Sequence, residues 1–144
     1  MWPILKRLYL GDQRDAKDKT LLRSRRITHV LNCAVEIPCY YERRLAYLQL
    51  PLNDPDFGFS DWIPDLCQFI DAGREAGRVL VHCRMGLSRS PAAIVTYLCH
   101  CGKTVDEALE FLRERVDEDE DEFHPPHDVF VDQIREYFEG EASL

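Results

Sequence analysis

Apolar residues come in short bursts separated by polar turns, and their spacing sets out the elements. Ile4, Leu5, Leu8, Tyr9 and Leu10 predict a first strand near residues 7–10, closed by the turn pair Gly11-Asp12. Residues 15–25 are polar except for Ala16, Leu21 and Leu22, which share one face of a short predicted helix. Strands are predicted over 27–32 and 45–50, the second trailing into Pro51 and Leu52, and 53–59 has the composition of a loop. Ser60 or Asp61 should cap a helix running to about Ala76, with Ile63, Leu66, Phe69, Ile70 and Ala72 at helical spacing and Gly73 and Gly77 weakening its end. Val79, Leu80 and Val81 form a brief β-branched run that predicts a buried strand. Ser90-Pro91 then opens an apolar helix through Ala92, Ala93, Ile94, Val95, Tyr97 and Leu98, with Gly102 beyond its end. Thr104 and Glu107 have capping-box spacing at the head of a helix over 105–116. Pro125-Pro126 breaks the chain, and Asp128 should cap a last helix bearing Val129, Phe130, Ile134, Tyr137 and Phe138. Strands alternating with helices predict an α/β fold: a single domain over 1–144, with a central, mainly parallel sheet flanked by helices.

Composition narrows the partners. The chain has 144 residues, 45 % hydrophobic and 31 % charged, enough for one domain with a core. No apolar run approaches the roughly 20 residues of a membrane span, and the first residues lack the pattern of a signal peptide. The formal net charge of −8 argues against nucleic acid or an anionic membrane as a partner. Six consecutive acids, 117–122, predict a solvated loop. The six cysteines form no metal-finger spacing, because Cys99-His100-Cys101 has no second pair. No metal and no cofactor is expected, and free thiols point to a reducing, cytoplasmic setting, the nucleus included.

The chemistry concentrates between the predicted strand at 79–81 and the helix that follows. A strand, a tight turn and a helix N-terminus make an anion site, because successive backbone N–H groups and the helix dipole face the turn. Here that turn is Cys83, Arg84, Met85, Gly86, Leu87, Ser88 and Arg89. Gly86 lets it curl, Arg89 offers a planar two-pronged donor, and a thiol at such a focus is favoured as thiolate.

His82-Cys83, five residues, then Arg89-Ser90 resembles the signature loop of the protein tyrosine phosphatase superfamily. Ser88-Arg89-Ser90, the downstream Val95-Thr96-Tyr97-Leu98, and the stretches 8–11 and 27–32 resemble the dual-specificity phosphatases in particular. The resemblance implies a protein phosphatase acting on phosphotyrosine and on phosphoserine or phosphothreonine through a phosphocysteine. It implies Cys83 as nucleophile, the 84–89 amides and Arg89 as the phosphate cradle, and Ser90 as the hydroxyl that helps the sulfur leave. It implies His82 and Asn32 as supports of the loop, and an aspartate on the loop after the second-last strand as general acid. Asp54, directly after the strand, is favoured for that role, with Asp56 as the other candidate. The larger tyrosine-specific relatives wall their pocket with an added N-terminal segment; this chain starts almost at its first strand, so a shallow pocket is expected. The acidic run departs from the basic, proline-containing link usual in the family.

Other readings fit less well. Sulfurtransferases of the rhodanese type lack the five-residue gap followed by Arg-Ser, and low-molecular-weight phosphatases and arsenate reductases carry their loop near the N-terminus. Phosphoinositide phosphatases place lysines inside the loop, and RNA triphosphatases favour Asn-Arg-Thr over Ser88-Arg89-Ser90. A non-protein phosphate ester or a phosphate-binding scaffold is the remaining alternative. A reserve cysteine able to trap oxidised Cys83 cannot be chosen from the sequence.

Overall fold

The computed structural model describes residues 1–85, 88–116 and 124–140. The chain order is β1 (Trp2–Leu5), β2 (Leu8–Gly11), α1 (Gln13–Lys17), α2 (Lys19–Ser24), β3 (His29–Asn32) and β4 (Ala46–Gln49). A short 3₁₀ turn (Phe59–Trp62) leads into α3 (Ile63–Ala76), β5 (Val79–His82), α4 (Arg89–His100), α5 (Val105–Val116) and α6 (Asp128–Glu139). These strands form one sheet in the order β1-β2-β5-β3-β4. The β1–β2 pair is antiparallel, whereas β2–β5, β5–β3 and β3–β4 are parallel. The predicted α/β architecture with a mainly parallel sheet is therefore the observed one.

β5 occupies the middle of the sheet, and its four residues are all buried. Val79 and Val81 face the main core with Leu66, Ile70, Ile94 and Leu98, whereas Leu80 faces a smaller cluster of Ala16, Leu22, Ile27 and Val30. A strand covered on both faces reads as a continuous apolar run, which explains the Val-Leu-Val sequence. α4 is enclosed by the sheet and by α3, α5 and α6, and is buried from Arg89 to Cys99. That burial accounts for its apolar surface on all sides. The chain passes from β2 to β3 and leaves a slot that β5 later fills. Ligand sites in open α/β sheets lie outside the carboxyl ends of strands at such a point. Cys83 follows β5 there.

Several boundaries differ from the sequence reading, each for a local reason. The N-terminal strand is a hairpin, because Arg7 takes a left-handed φ of 65° and turns the chain without glycine, asparagine or proline. The helix predicted over 15–25 is two helices. Asp18 ends the first, and its carboxylate accepts the Leu21 amide at 3.0 Å to start the second. Neither Ser60 nor Asp61 caps α3; the 3₁₀ turn delivers the chain to Trp62, with Pro64 in the first turn. Gly73 stands inside α3 because the helix leans on the sheet there: a Cβ would meet Val79 Cγ2 at 2.5 Å. His127, not Asp128, caps α6, its Nδ1 accepting the Val129 amide at 3.1 Å. The capping box holds as expected, with Thr104 Oγ1 accepting the Glu107 amide at 3.1 Å and Glu107 Oε1 accepting the Thr104 amide at 2.9 Å. Gly102 has the positive φ, 110°, that its place after α4 requires. The acidic run 117–122 lies outside the described residues.

Candidate active site

The site is built where β5 ends and α4 begins. Cys83 is buried, and its Sγ lies 3.0 Å from the hydroxyl of Ser90, in the first turn of the helix. The loop between them is held at both shoulders by distant segments. The Arg84 carbonyl accepts the amide of Gln13 at 3.0 Å, at the start of α1. The Ser88 hydroxyl accepts the amide of His127 at 3.1 Å, just before α6. Met85 is 64 % exposed at the loop's outer face. Gly86 and Leu87, expected within the phosphate loop, lie outside the described residues.

Arg89 is the least expected piece of geometry. It is the first residue of α4, and its side chain is only 7 % exposed. Its Nη1 and Nη2 donate to Glu36 Oε1 and Oε2 at 2.5 and 2.9 Å, a fork-to-fork pair, and Nη1 also donates to the Leu52 carbonyl at 3.0 Å. A guanidinium has five N–H donors. Subtracting these three bonds leaves one hydrogen on Nη2 and the one on Nε, both on the same edge. Nε is buried and has no partner among the described residues. A buried donor without an acceptor is costly, and a planar pair of donors on one edge fits two oxygens of a phosphate. Burial works most strongly against the charge on Arg89, but the bond to Glu36 together with the negative charges of Glu36, Cys83 and Asp54 outweighs it, and the pKa is raised. The same bond holds the Glu36 carboxyl below its usual range.

Nothing in the sequence marks Glu36. A lone glutamate in a loop has no periodicity, and its one signal is indirect: a buried arginine needs a carboxylate. Asn32 explains how Glu36 is placed. Its Oδ1 accepts the Ala34 amide at 3.0 Å, and its Nδ2 donates to the Ile37 carbonyl at 2.7 Å. Its side chain thus braces the segment carrying Glu36. His82 is also buried. Its Nδ1 is 3.2 Å from the Cys83 carbonyl, its Nε2 has no partner among the described residues, and burial lowers its pKa to about 4. A neutral ring with its proton on Nδ1 satisfies the carbonyl. Cys33 stands beside Cys83, since the preceding residues Asn32 and His82 are in register and Cys33 donates its amide to the His82 carbonyl. Burial raises its thiol pKa well above the ordinary value, and the neighbouring charge of Cys83 adds to that rise.

The two candidate acids are distinguished by their bonding. Asp56 uses both oxygens to hold its own loop: Oδ2 accepts the Asn53 amide at 3.0 Å and Oδ1 the Gly58 amide at 2.8 Å. Its carbonyl accepts from Gln133 on α6. Asp54 is exposed, makes no hydrogen bond among the described residues, and lies close enough for its charge to act on Arg89.

The chain is similar to known proteins over most of its length. The profile of the family described as dual specificity phosphatase, catalytic domain, matches residues 8–139, and the chain belongs to that family. It is 36 % identical over 115 residues to mouse dual specificity protein phosphatase 1, covering 78 % of this chain and 31 % of that protein. The chain therefore spans about a third of the length of that relative. Among solved structures, human DUSP28 matches with a TM-score of 0.86 over 99 % of both chains; at 24 % identity this likeness is one of fold. The human tyrosine phosphatase-like serine/threonine/tyrosine-interacting protein matches with a TM-score of 0.85 and 28 % identity, over 100 % of this chain and 98 % of that one.

Proposed function

We propose that this chain hydrolyses phosphotyrosine and phosphoserine or phosphothreonine in proteins, through a phosphocysteine formed on Cys83. The observation that carries this reading is the buried Cys83–Ser90 pair beside an arginine whose Glu36-bound fork leaves one donor edge free among the described residues. Phosphate monoesters resist attack because they are anionic and their alkoxide leaves poorly. The free edge of Arg89, with the loop amides, takes charge from the phosphoryl oxygens and holds the group in line with the sulfur. The Cys83 thiolate attacks phosphorus; the P–S bond forms as the ester P–O bond breaks, and Asp54 gives its proton to the departing oxygen. Asp54, now a carboxylate, takes a proton from water as the water attacks phosphorus. The P–S bond breaks, phosphate leaves, and the Ser90 hydroxyl donates to the departing sulfur. Asp54 is assigned the acid role because the carboxylate of Asp56 is already engaged by two amides. The nucleophile is a thiolate, and a thiolate persists in a reducing compartment.

Matched phosphotyrosine and phosphothreonine peptides, assayed with Cys83→Ser as a blank, test the proposal. Release of phosphate from both is expected, faster from phosphotyrosine because its phenolate has a parent pKa of about 10. Turnover of phosphotyrosine alone would overturn the dual specificity. Turnover of neither peptide, with hydrolysis of a phosphoinositide or an RNA 5′-phosphate, would overturn the protein substrate. Phosphate binding without any turnover would make the chain a scaffold.

A further inference from the structure

A second concentration of positive charge lies at the far end of the sheet. Lys6 and Arg7 at the β1–β2 turn, Arg78 before β5 and Arg115 near the end of α5 line one cleft of about 740 Å³, where Glu114 is the single carboxylate among the described residues. Its walls include Ile4, Leu5 and Tyr9. The chain carries a net charge of −8, so four cations sharing a cleft run against its composition.

None of the four forms an ion pair with a carboxylate among the described residues. Arg7 donates to the carbonyls of Arg74 and Glu75 at the end of α3, and Arg78 to the hydroxyl of Tyr9. Arg115 lies over the Phe111 ring at 4.4 Å. These partners are neutral and hold the three arginine side chains in place without cancelling their charge. Elsewhere, Arg89, Arg113 and Arg135 each have a carboxylate partner. Arg7 also keeps a left-handed backbone at a turn where glycine would be less strained.

We propose that this cleft docks an acidic segment of the phosphoprotein substrate, remote from the phosphorylated residue; this rests on the protein-phosphatase reading above. Arg78 and Cys83 lie at opposite ends of β5, about 17 Å apart at the rise of an extended strand. A small phosphate ester cannot touch both. A polypeptide can, with at least about five extended residues between its phosphate and its acids. The cations supply attraction to carboxylates, and the apolar walls accept the segment's stem. The docking segment is therefore recognised by charge without entering the reaction.

The test compares two phosphotyrosine peptides of equal length, one ending in a run of aspartates and glutamates beyond a ten-residue spacer, the other in serines. For the unaltered protein, kcat/KM should favour the acidic peptide about tenfold, falling with added salt. The double variant Lys6→Glu, Arg115→Glu should lose that preference while hydrolysing a small aryl phosphate at the normal rate. Lys6→Gln with Arg115→Gln serves if the reversals impair folding. Equal kcat/KM for both peptides in the unaltered protein, or a preference that survives in the variant, would overturn the proposal. So would competition by inorganic tripolyphosphate as effective as that of the acidic peptide, which would make the cleft a small-anion site. Peptide binding to Cys83→Ser, followed by fluorescence anisotropy, reads docking without turnover, so failure of catalysis and failure of docking are told apart.

Discussion

Glu36 holds Arg89 by both terminal nitrogens, at 2.5 and 2.9 Å, and so decides which edge of the guanidinium is left for a phosphate. Charge-assisted bonds of this kind contribute about 1.5–3 kcal/mol each. Glu36→Gln should lower kcat/KM for an aryl phosphate by about tenfold or more and weaken binding of vanadate in parallel. Equilibrium binding of vanadate and the kinetics of a small ester measure both. A variant with lower thermal stability but unchanged vanadate affinity would show that Glu36 supports the fold and not the site.

The Ser90 hydroxyl lies within hydrogen-bond reach of the Cys83 sulfur, at 3.0 Å. Ser90→Ala should leave formation of the phosphocysteine nearly intact and slow its breakdown. Rapid-mixing experiments with nitrophenyl phosphate should then show a burst of nitrophenol followed by a slow steady state. Cys83→Ser should bind phosphate analogues without turnover, and substantial hydrolysis by that variant when folded would remove Cys83 from the nucleophile's role.

Asp54 and Asp56 make opposite predictions. Asp54→Asn should lower kcat for phenyl phosphate by about 10²-fold, with a smaller effect for nitrophenyl phosphate, whose oxygen leaves without a full proton. Asp56→Asn should cost about 0.5–1.5 kcal/mol of stability, because an amide nitrogen replaces one of the two oxygens that accept the Asn53 and Gly58 amides. Kinetics with the two esters, paired with urea unfolding, separate the roles; a leaving-group effect confined to Asp56→Asn would reverse the assignment.

His82 should make stability depend on pH. Burial lowers its pKa from 6.5 to about 4 in the folded protein. Between those values the unfolded chain binds a proton that the folded chain does not, so stability falls as pH drops from about 6.5 toward about 4. A tenfold difference in proton affinity between the two states is worth about 1.4 kcal/mol, giving a loss of about 3 kcal/mol across the window. Unfolding by urea at several pH values should show this slope, and His82→Gln should reduce it.

The legible parts of this protein are those that depend on near neighbours in the chain. The Val79–Val81 run, the Thr104–Glu107 box and Gly102 each follow from local rules, and each is found in place. The hairpin is hidden because Arg7 turns the chain with no turn residue to announce it. The break at Asp18 is hidden because one carboxylate can cap a new helix as readily as it decorates an old one. The site divides in the same way. Cys83, Arg89 and Ser90 lie within eight positions of sequence, whereas Glu36 is separated from Arg89 by 53. Such a partner becomes visible only when β3 and β5 lie side by side.

The tie between Ser88 and His127 spans 39 residues. A ribosome adds about 5–20 residues per second. Once Ser88 has been made, the ribosome therefore needs about 2–8 s to reach His127 at that rate. Until then one shoulder of the loop lacks its amide donor. The nascent protein thus has Cys83 well before the loop that follows it is tied at its second shoulder.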